Sequence, residues 1–290
     1  MHVSDSTQTS QRVLIAGCGD IGIHLALQLN EQGHKVYGLR RNINQLPGAI
    51  HGICADLGDP SQLCSLPAID MLVYCVAASQ RDEAGYRQAY VEGLANLQAA
   101  LASQDVKRIL FVSSSAVYHQ NDDGWVDEAS ATQPPRFNGK VMLEAEQQLL
   151  QHTIPGTVVR FSGIYGPGRS HMLGQVFQGK GYAAEPVQFS NRIHRDDCSG
   201  VLAHLLNLQA QGEILDDIYL ASDDYPSSLH EVSHWLAEQM DVVITEEAQP
   251  RSGGSKQCSN RRLHTSGYQF KYPSFREGYK SLVAEFLEQQ

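Results

Sequence analysis

The ten residues Val13-Leu14-Ile15-Ala16-Gly17-Cys18-Gly19-Asp20-Ile21-Gly22 constrain this chain more than any other stretch. Four uncharged apolar residues read as a buried parallel strand. The three glycines that follow at G-x-G-x-x-G spacing open an apolar-periodic helix through Leu25, Leu27 and Leu29. In such a turn Gly17 permits the tight reversal, Gly19 lets a pyrophosphate approach the backbone, and Gly22 lets helix and strand pack closely. The unpaired N–H groups around Asp20, Ile21 and Gly22 and the positive end of the helix then meet an anion. A strand-to-helix turn without a ligand would show the same spacing, so the rest of the chain must decide.

Beyond the first helix, Gly33-His34 breaks the pattern, and Lys35 to Leu39 reads as a second strand ending in Arg40-Arg41-Asn42. An NAD site of this kind carries Asp or Glu about 20 residues past the glycines, on the ribose 2′-hydroxyl. Here two arginines hold that place. A guanidinium grips a 2′-phosphate, so NADP is the preferred cofactor and NAD the second choice; a solvated basic strand end is the plainer reading of Arg40 and Arg41. A third strand near Ala49 to Cys54 leads into Ala55-Asp56-Leu57. Asp56, beside Leu57, either accepts from an adenine amino group or caps a helix starting near Pro60.

Ile69 to Ala78 is almost continuously apolar, too short for a bilayer and suited to a central strand covered on both faces. Its small residues Ala77 and Ala78 leave room beside a cofactor. A long helix over 83–103 and a strand over 108–113 follow, ending in Ser113-Ser114-Ser115-Ala116-Val117-Tyr118. Alternation of this length predicts an α/β protein with a Rossmann-type, doubly wound parallel sheet, its ligands beyond the carboxyl ends of the strands. The polar segment 121–135 reads as a functional or mobile loop. A helix over 138–152 and a strand over 157–161 lead into Gly163-Ile164-Tyr165-Gly166-Pro167-Gly168. After that the composition changes. Helices over 196–207, 228–240 and 275–288, strands near 217–220 and 241–244, and an exposed loop over 249–259 predict a smaller C-terminal substrate lobe. The expected division is residues 1–162 and 163–290, with some later elements returning to the sheet.

The net charge of -10, without a run of Lys or Arg, argues against nucleic-acid binding. A polar start and the lack of any apolar run of about 20 residues argue against a membrane span, and a cytoplasmic protein is expected. The six cysteines show no C-x-x-C spacing and read as reduced structural thiols; the twelve histidines are read as forming no H-x-x-x-H or H-E-x-x-H pattern, so no metal is expected.

Four segments together resemble the short-chain dehydrogenase/reductase superfamily, in its extended branch of NAD(P)-dependent epimerases and dehydratases. They are Gly17 to Gly22, Ser113 to Tyr118, Arg160 to Gly168, and Ile193-His194-Arg195-Asp196-Asp197 opening a helix. The tail, with Cys258-Ser259-Asn260-Arg261-Arg262-Leu263 and Tyr272 to Gly278, is similar to an atypical bacterial subgroup. The resemblance implies that Ser114 hydrogen-bonds the reacting oxygen, whereas a serine at a strand end can also simply cap its neighbours. It implies that Lys140 holds the nicotinamide ribose as the lysine of the family's Y-x-x-x-K pair. Here the chain departs from the family, for Arg136 stands where the tyrosine belongs. A guanidinium stays protonated at neutral pH, so Arg136 can clamp a phosphate or carboxylate but not relay a proton. By type alone Tyr118, His119, Tyr165 and His171 are candidates for that relay.

The resemblance implies an epimerase, dehydratase or reductase acting on a nucleotide-linked sugar or similar polar carbonyl or alcohol, and Arg136 in the tyrosine's place suits a small substrate that is anionic or nucleotide-linked. A cofactor-binding sensor that has lost catalysis is the competing reading. The substrate is expected between the sheet edge at Ser114 and the lobe after Gly168, beside Tyr165, Gly166 and residues 193–197. The oligomeric state is left open between monomer and homodimer.

Overall fold

The computed structural model describes residues 10–249 and 255–290. Seven strands form one sheet: β1 (Arg12–Ala16), β2 (Lys35–Arg40), β3 (His51–Cys54), β4 (Met71–Tyr74), β5 (Arg108–Ser114), β6 (Gly156–Phe161) and β7 (Ile218–Ala221), in the order β7-β6-β5-β4-β1-β2-β3. β1 pairs in parallel with β2 and β4, β2 with β3, and β4 with β5. Strand order therefore runs outward from β1 to β3 and then restarts on the other side with β4, which puts the topological switch between β1 and β4. β4 is buried along its whole length, as its apolar run requires.

By contact density the residues fall into two units. A sheet unit comprises the described residues of Met1–Ser113 with Arg136–Val159 and Ser199–Ile218, and a second unit comprises Ser114–Pro135, Arg160–Cys198 and the described residues of Tyr219–Gln290. The chain changes unit toward the carboxyl ends of β5 and β6 and again at the start of β7, where composition suggested one boundary near residue 162.

In the sheet unit, α1 (Asp20–Glu31) buries Ile21, Gly22, Leu25, Ala26 and Leu29 on one stripe. The helix expected over 83–103 is interrupted: α2 (Glu83–Tyr86) passes through a π-helical turn (Arg87–Glu92) into α3 (Gly93–Ala100). The Tyr74 hydroxyl donates to the carbonyl of Ala89 at 2.5 Å, and Gly93 N–H reaches back five residues to Gln88. A Cβ at Gly93 would lie 2.6 Å from the Tyr74 oxygen, so a buried tyrosine from β4 accounts for both the bulge and the glycine. α4 (Phe137–Leu150) completes this helical layer, its Glu144 taking Arg87 in a bidentate pair with both contacts at 2.7 Å. Pro60–Leu63 is a single 3-10 turn capped by Asp59, whose carboxylate accepts from Ser61 N–H at 3.0 Å. Asp56 is not that cap; its Oδ1 accepts from Gly58 N–H at 2.9 Å in a tight local turn.

The second unit has its own core, from α5 (His171–Phe177), α7 (Leu229–Met240) and α9 (Phe275–Leu287); between them in the chain lie α6 (Arg195–Ala210) and the short α8 (Arg261–Thr265). Phe275, Gly278, Tyr279, Leu282 and Val283 form the buried stripe of α9, and Val232, Leu236, Ala237 and Met240 that of α7. Two expectations need correction here. Asp241 is a left-handed helix terminus (φ 54°), and the strand expected over 241–244 forms instead at Glu246–Ala248, paired with Lys180–Tyr182. Residues 250–254 of the expected 249–259 loop lie outside the described residues, but Gln257–Cys258 pairs with Trp125–Val126 and Cys258 is buried. The 121–135 segment is also tied down: the Tyr118 hydroxyl donates to Asp127 O at 2.7 Å, and Glu128 accepts from Leu220 N–H at 2.8 Å.

Candidate functional site

At the end of β1 the backbone N–H groups of Gly17 and Cys18 both donate to Leu39 O, at 3.0 and 3.2 Å, which bends the chain off the sheet toward α1. Gly17 has φ +79°, and a Cβ there would lie 2.5 Å from the Cys75 carbonyl oxygen and 2.6 Å from Val76 Cα. Gly22 sits 3.1 Å, by the same measure, from Ile15 on the strand beneath. Gly19 is different. A Cβ on Gly19 would meet only Gly17 O, at 3.9 Å, so among the described residues nothing fills the space above it. Gly19 is also the N-cap of α1 and supplies no capping side chain, so the first-turn N–H groups of Ile21 and Gly22 have no acceptor in an earlier turn of the helix or from a cap side chain. An open cradle at a helix N-terminus fits a pyrophosphate. Cys18 turns inward against Gly38, and burial pushes its thiol up to about 11, which leaves it an inert packing group.

Arg40 ends β2 with its guanidinium folded back toward this loop: Nη1 donates to Cys18 O at 3.3 Å and Nη2 to Gln45 Oε1 at 3.1 Å. Arg41 is exposed. Asp56 and Leu57 follow β3, both half-buried, with Asn96 donating to Leu57 O at 2.8 Å. Ala77 is exposed and Ala78 half-buried just past β4, where the Ala78 backbone hydrogen-bonds the Tyr90 hydroxyl.

Arg136 is the N-cap of α4 with extended backbone, and its side chain makes no capping bond; Lys140 lies in the first turn, and its N–H donates to Arg136 O at 3.1 Å. Both side chains are exposed, and that turn contains no acidic residue. Two cations at the positive end of a helix are unfavourable unless an anion joins them. Phe137, next to Arg136, meets Tyr86 edge-on at 5.5 Å, and Tyr86 also packs on Tyr90 at 5.3 Å. Tyr86 is thus a phenol beside the start of α4. It belongs to another helix about 50 residues earlier, and no periodicity marks it.

In the second unit Ser114 Oγ accepts from Ala116 N–H at 3.1 Å, capping the 3-10 turn Ser115–Val117. That bond occupies an oxygen lone pair and does not use the hydroxyl proton. The proton-relay candidates fare unequally. Tyr118 is buried, receives Arg160 Nη1 on its oxygen at 3.0 Å and has that guanidinium 5.1 Å from its ring centre; burial drives its phenol well above the ordinary range. Tyr165 is likewise buried and shifted upward, stacked on Tyr279 at 4.6 Å over Gly278, where any side chain would overlap it. His119 and His171 are exposed.

Residues 163–165 and 192–194 form a parallel ladder that sets His194 opposite Tyr165, and α6 begins immediately after it. Burial pulls His194 down to about 4, and its Nδ1 accepts from Asp196 N–H at 3.2 Å, so the ring is neutral. Asp197 has no exposed surface and anchors a distant segment: it accepts from the Tyr268 hydroxyl at 2.9 Å and from the N–H groups of Lys271 and Tyr272 at 2.8 and 3.0 Å. Burial pushes Asp223 up to about 8, and its Oδ2 has no hydrogen-bond partner. Of this cluster, Tyr165, residues 193–197 and Tyr272 stand out in the sequence, whereas Asp223, Tyr268 and Lys271 do not.

The expectation that no two histidines share H-E-x-x-H spacing needs correction. His230-Glu231-Val232-Ser233-His234 has H-E-x-x-H spacing. On α7 it brings His230 and His234 together with Glu247.

Residues 13–181 match the NAD dependent epimerase/dehydratase family. Among solved structures, an assigned NAD-dependent epimerase/dehydratase from Methylobacillus flagellatus is 38% identical, with a TM-score of 0.82 over 96% of this chain and 100% of that one. UDP-glucose 4-epimerase of Thermus thermophilus, in complex with NAD, is 20% identical with a TM-score of 0.78, covering 95% and 99%. UDP-glucose 4-epimerase of Thermotoga maritima, with UDP-glucose, is 18% identical at the same TM-score, covering 96% and 99%. No curated protein matches the chain. Among the described residues, no helix is long and apolar enough to cross a membrane.

Proposed function

The chain belongs to the NAD-dependent epimerase/dehydratase family, and from that premise we propose that it binds NADP(H) in preference to NAD(H) and acts on a nucleotide-linked sugar or a similar polar carbonyl or alcohol. The observation that carries the cofactor half is the open cradle at Gly19 with the Arg40 guanidinium on the carbonyl of the neighbouring Cys18. When bound, the nicotinamide supplies hydride transfer. Gly17, Gly19 and Gly22, with the first-turn N–H groups at Asp20 and Ile21, hold the pyrophosphate; Arg40, with Arg41 beside it in the chain, engages a 2′-phosphate; Asp56 and Leu57 contact the adenine end; Ala77 and Ala78 leave room for the dinucleotide; and Lys140 binds the nicotinamide ribose. Ser114 donates its hydroxyl proton to the substrate oxygen while the oxygen accepts from Ala116. Tyr165, Gly166 and residues 193–197 flank the rest of the substrate.

At position 136 the family's tyrosine gives way to a cation that cannot shuttle a proton, and Arg136 instead clamps an anionic group of the substrate. Turnover in ordinary epimerase or dehydrogenase assays is therefore slow, because a placed proton donor typically contributes about 10²–10⁴-fold. The same position favours a second reading, a cofactor-binding sensor without catalysis. Wild type and Arg136→Tyr are to be assayed on nucleotide-sugars with NADP(H) and NAD(H). The proposal expects faster turnover in Arg136→Tyr and, in the wild type, residual activity that Tyr86→Phe lowers further. Wild-type turnover near the ordinary enzyme median of about 10 s⁻¹ would show that the tyrosine is not missed. Cofactor binding with no hydride exchange in either protein would favour the sensor.

A further inference from the structure

We propose that His230, His234 and Glu247 form a divalent transition-metal site on the second unit, suited to Zn²⁺, which ties α7 to the Glu246–Ala248 strand. One ligand atom from each of the three residues lies within 4.8 Å of the others. The two histidines are four residues apart on one helix, which puts them on one face, and their ring centres are 3.9 Å apart. Glu247 comes from the next element after α7, the strand that pairs with Lys180–Tyr182, so the ligands join a helix to a strand held in place by pairing elsewhere.

The hydrogen bonds around the rings fit a metal. His230 Nδ1 lies 2.8 Å from Tyr182 O, and His234 Nδ1 lies 3.0 Å from His230 O. A carbonyl oxygen accepts only, so each Nδ1 carries the proton and each Nε2 of the neutral ring presents a lone pair. Metal-bound histidines are held in this way, the second nitrogen donating to a carbonyl or carboxylate. His234 Nε2 then stands 3.2 Å from Glu247 Oε1, an acceptor facing an acceptor. A cation between them satisfies both. Tetrahedral zinc with bonds of about 2.0–2.1 Å separates its ligand atoms by about 3.4 Å, so the cluster must contract by roughly 1.5 Å at most. The exposed Glu247 side chain is free of packing constraints that would resist this. Two imidazoles and one carboxylate favour zinc and its transition-metal neighbours over Mg²⁺ or Ca²⁺.

The glutamate of this H-E-x-x-H is not available as a hydrolytic base. Its N–H takes the Ser228 hydroxyl oxygen at 3.0 Å as the third residue of the helix, and its carboxylate accepts from Arg276 at 2.6 Å. The site is accordingly structural, with three protein ligands and water completing the shell. It is independent of the cofactor reading.

The test is calorimetric titration of the full chain, stripped with a chelator, with ZnCl₂ alone. The expected result is one saturable site per chain at micromolar zinc, weakened at least about tenfold in Glu247→Gln and lost in His234→Ala, and unchanged in His264→Ala, which alters another surface His–carboxylate pair. At the same concentration zinc should raise the Tm of the wild type more than that of Glu247→Gln, whose Tm without metal should equal the wild type's. Absence of saturable binding would overturn the proposal and leave His234 and Glu247 as an ordinary ion pair. Binding that survives both ligand variants would overturn it equally, since the metal would then sit elsewhere.

Discussion

In the sheet unit the groups around the glycine loop are placed by the backbone of neighbouring parallel strands. Gly17 turns, Gly19 leaves space, and β1 and β2 hold the turn through Leu39 O. In the second unit the polar groups around His194 are placed by side chains from distant segments: Asp197 anchors Tyr268, Lys271 and Tyr272, more than 70 positions away. The loop depends on missing side chains, and a Cβ breaks it by overlap. The cluster depends on side chains being present, and truncation breaks it by stranding buried donors. One region is therefore sensitive to addition and the other to deletion.

The largest expected effect follows from adding atoms at the loop. Gly17→Val forces a β-branched residue to φ +79° and drives its Cβ to 2.5 Å from a backbone oxygen that cannot move without β4. Left-handed strain and overpacking together cost about 4 kcal/mol. Urea denaturation measures it, and a loss under about 1 kcal/mol would mean that the turn is not rigid. Gly19→Ala is the control: with only Gly17 O near its Cβ, it should leave stability within about 1 kcal/mol while weakening cofactor binding.

Deletion in the second unit comes next. Asp197→Ala strands two backbone N–H groups and the Tyr268 hydroxyl, for about 3 kcal/mol, whereas Asp197→Asn keeps one acceptor oxygen and should lose less than half of that. Equal losses in the two variants would show that the carboxylate's charge, not its acceptor geometry, holds the segment.

The same contrast explains what could be read from the sequence. The glycine spacing, the apolar run of β4 and the strand–helix alternation are short-range patterns, and they place the sheet and the turn. The π-helical turn at 87–92 escapes because its cause, the Tyr74 hydroxyl, arrives from another strand. The strand at 246–248 escapes because its residues are Glu-Glu-Ala, and only pairing with Lys180–Tyr182 makes them extended. Tyr86 at the start of α4, and Glu247 beside two histidines, are tertiary accidents of the same kind. The H-E-x-x-H pair on α7 is not, since its spacing is local.

Buried titrating groups sharpen the comparison further. Asp223 has its folded-state carboxyl raised to about 8, so between the unfolded value near 4 and pH 8 the folded protein binds the extra proton, and stability falls as pH rises through that window. His194, lowered to about 4, acts on the other side: its contribution is intact above the unfolded value near 6.5 and is lost as pH falls toward 4. From pH 6 to pH 9 the wild type should lose about 2 kcal/mol, and Asp223→Asn should flatten that limb. Unchanged slopes in the variant would assign the alkaline loss to another group.

The smallest effect concerns the side chain that reaches back to the glycine loop. Arg40 is half-buried and holds Cys18 O at 3.3 Å and Gln45 Oε1 at 3.1 Å, so in the free protein its guanidinium already lies where β2 leaves the sheet. A charge-assisted contact to a 2′-phosphate is worth about 1.5–3 kcal/mol, so NADP(H) should bind roughly tenfold or more tighter than NAD(H). Arg40→Ala should reduce that preference to near parity by weakening NADP(H) and sparing NAD(H). Arg41→Ala, at an exposed position, should reduce it less. Isothermal titration with both cofactors decides between them. Equal affinities in the wild type would remove the phosphate contact from the argument, and a preference lost in Arg41→Ala but kept in Arg40→Ala would move it to the exposed arginine. Added salt separates the two further, because an exposed contact is screened within about 8 Å at physiological ionic strength and a partly buried one much less.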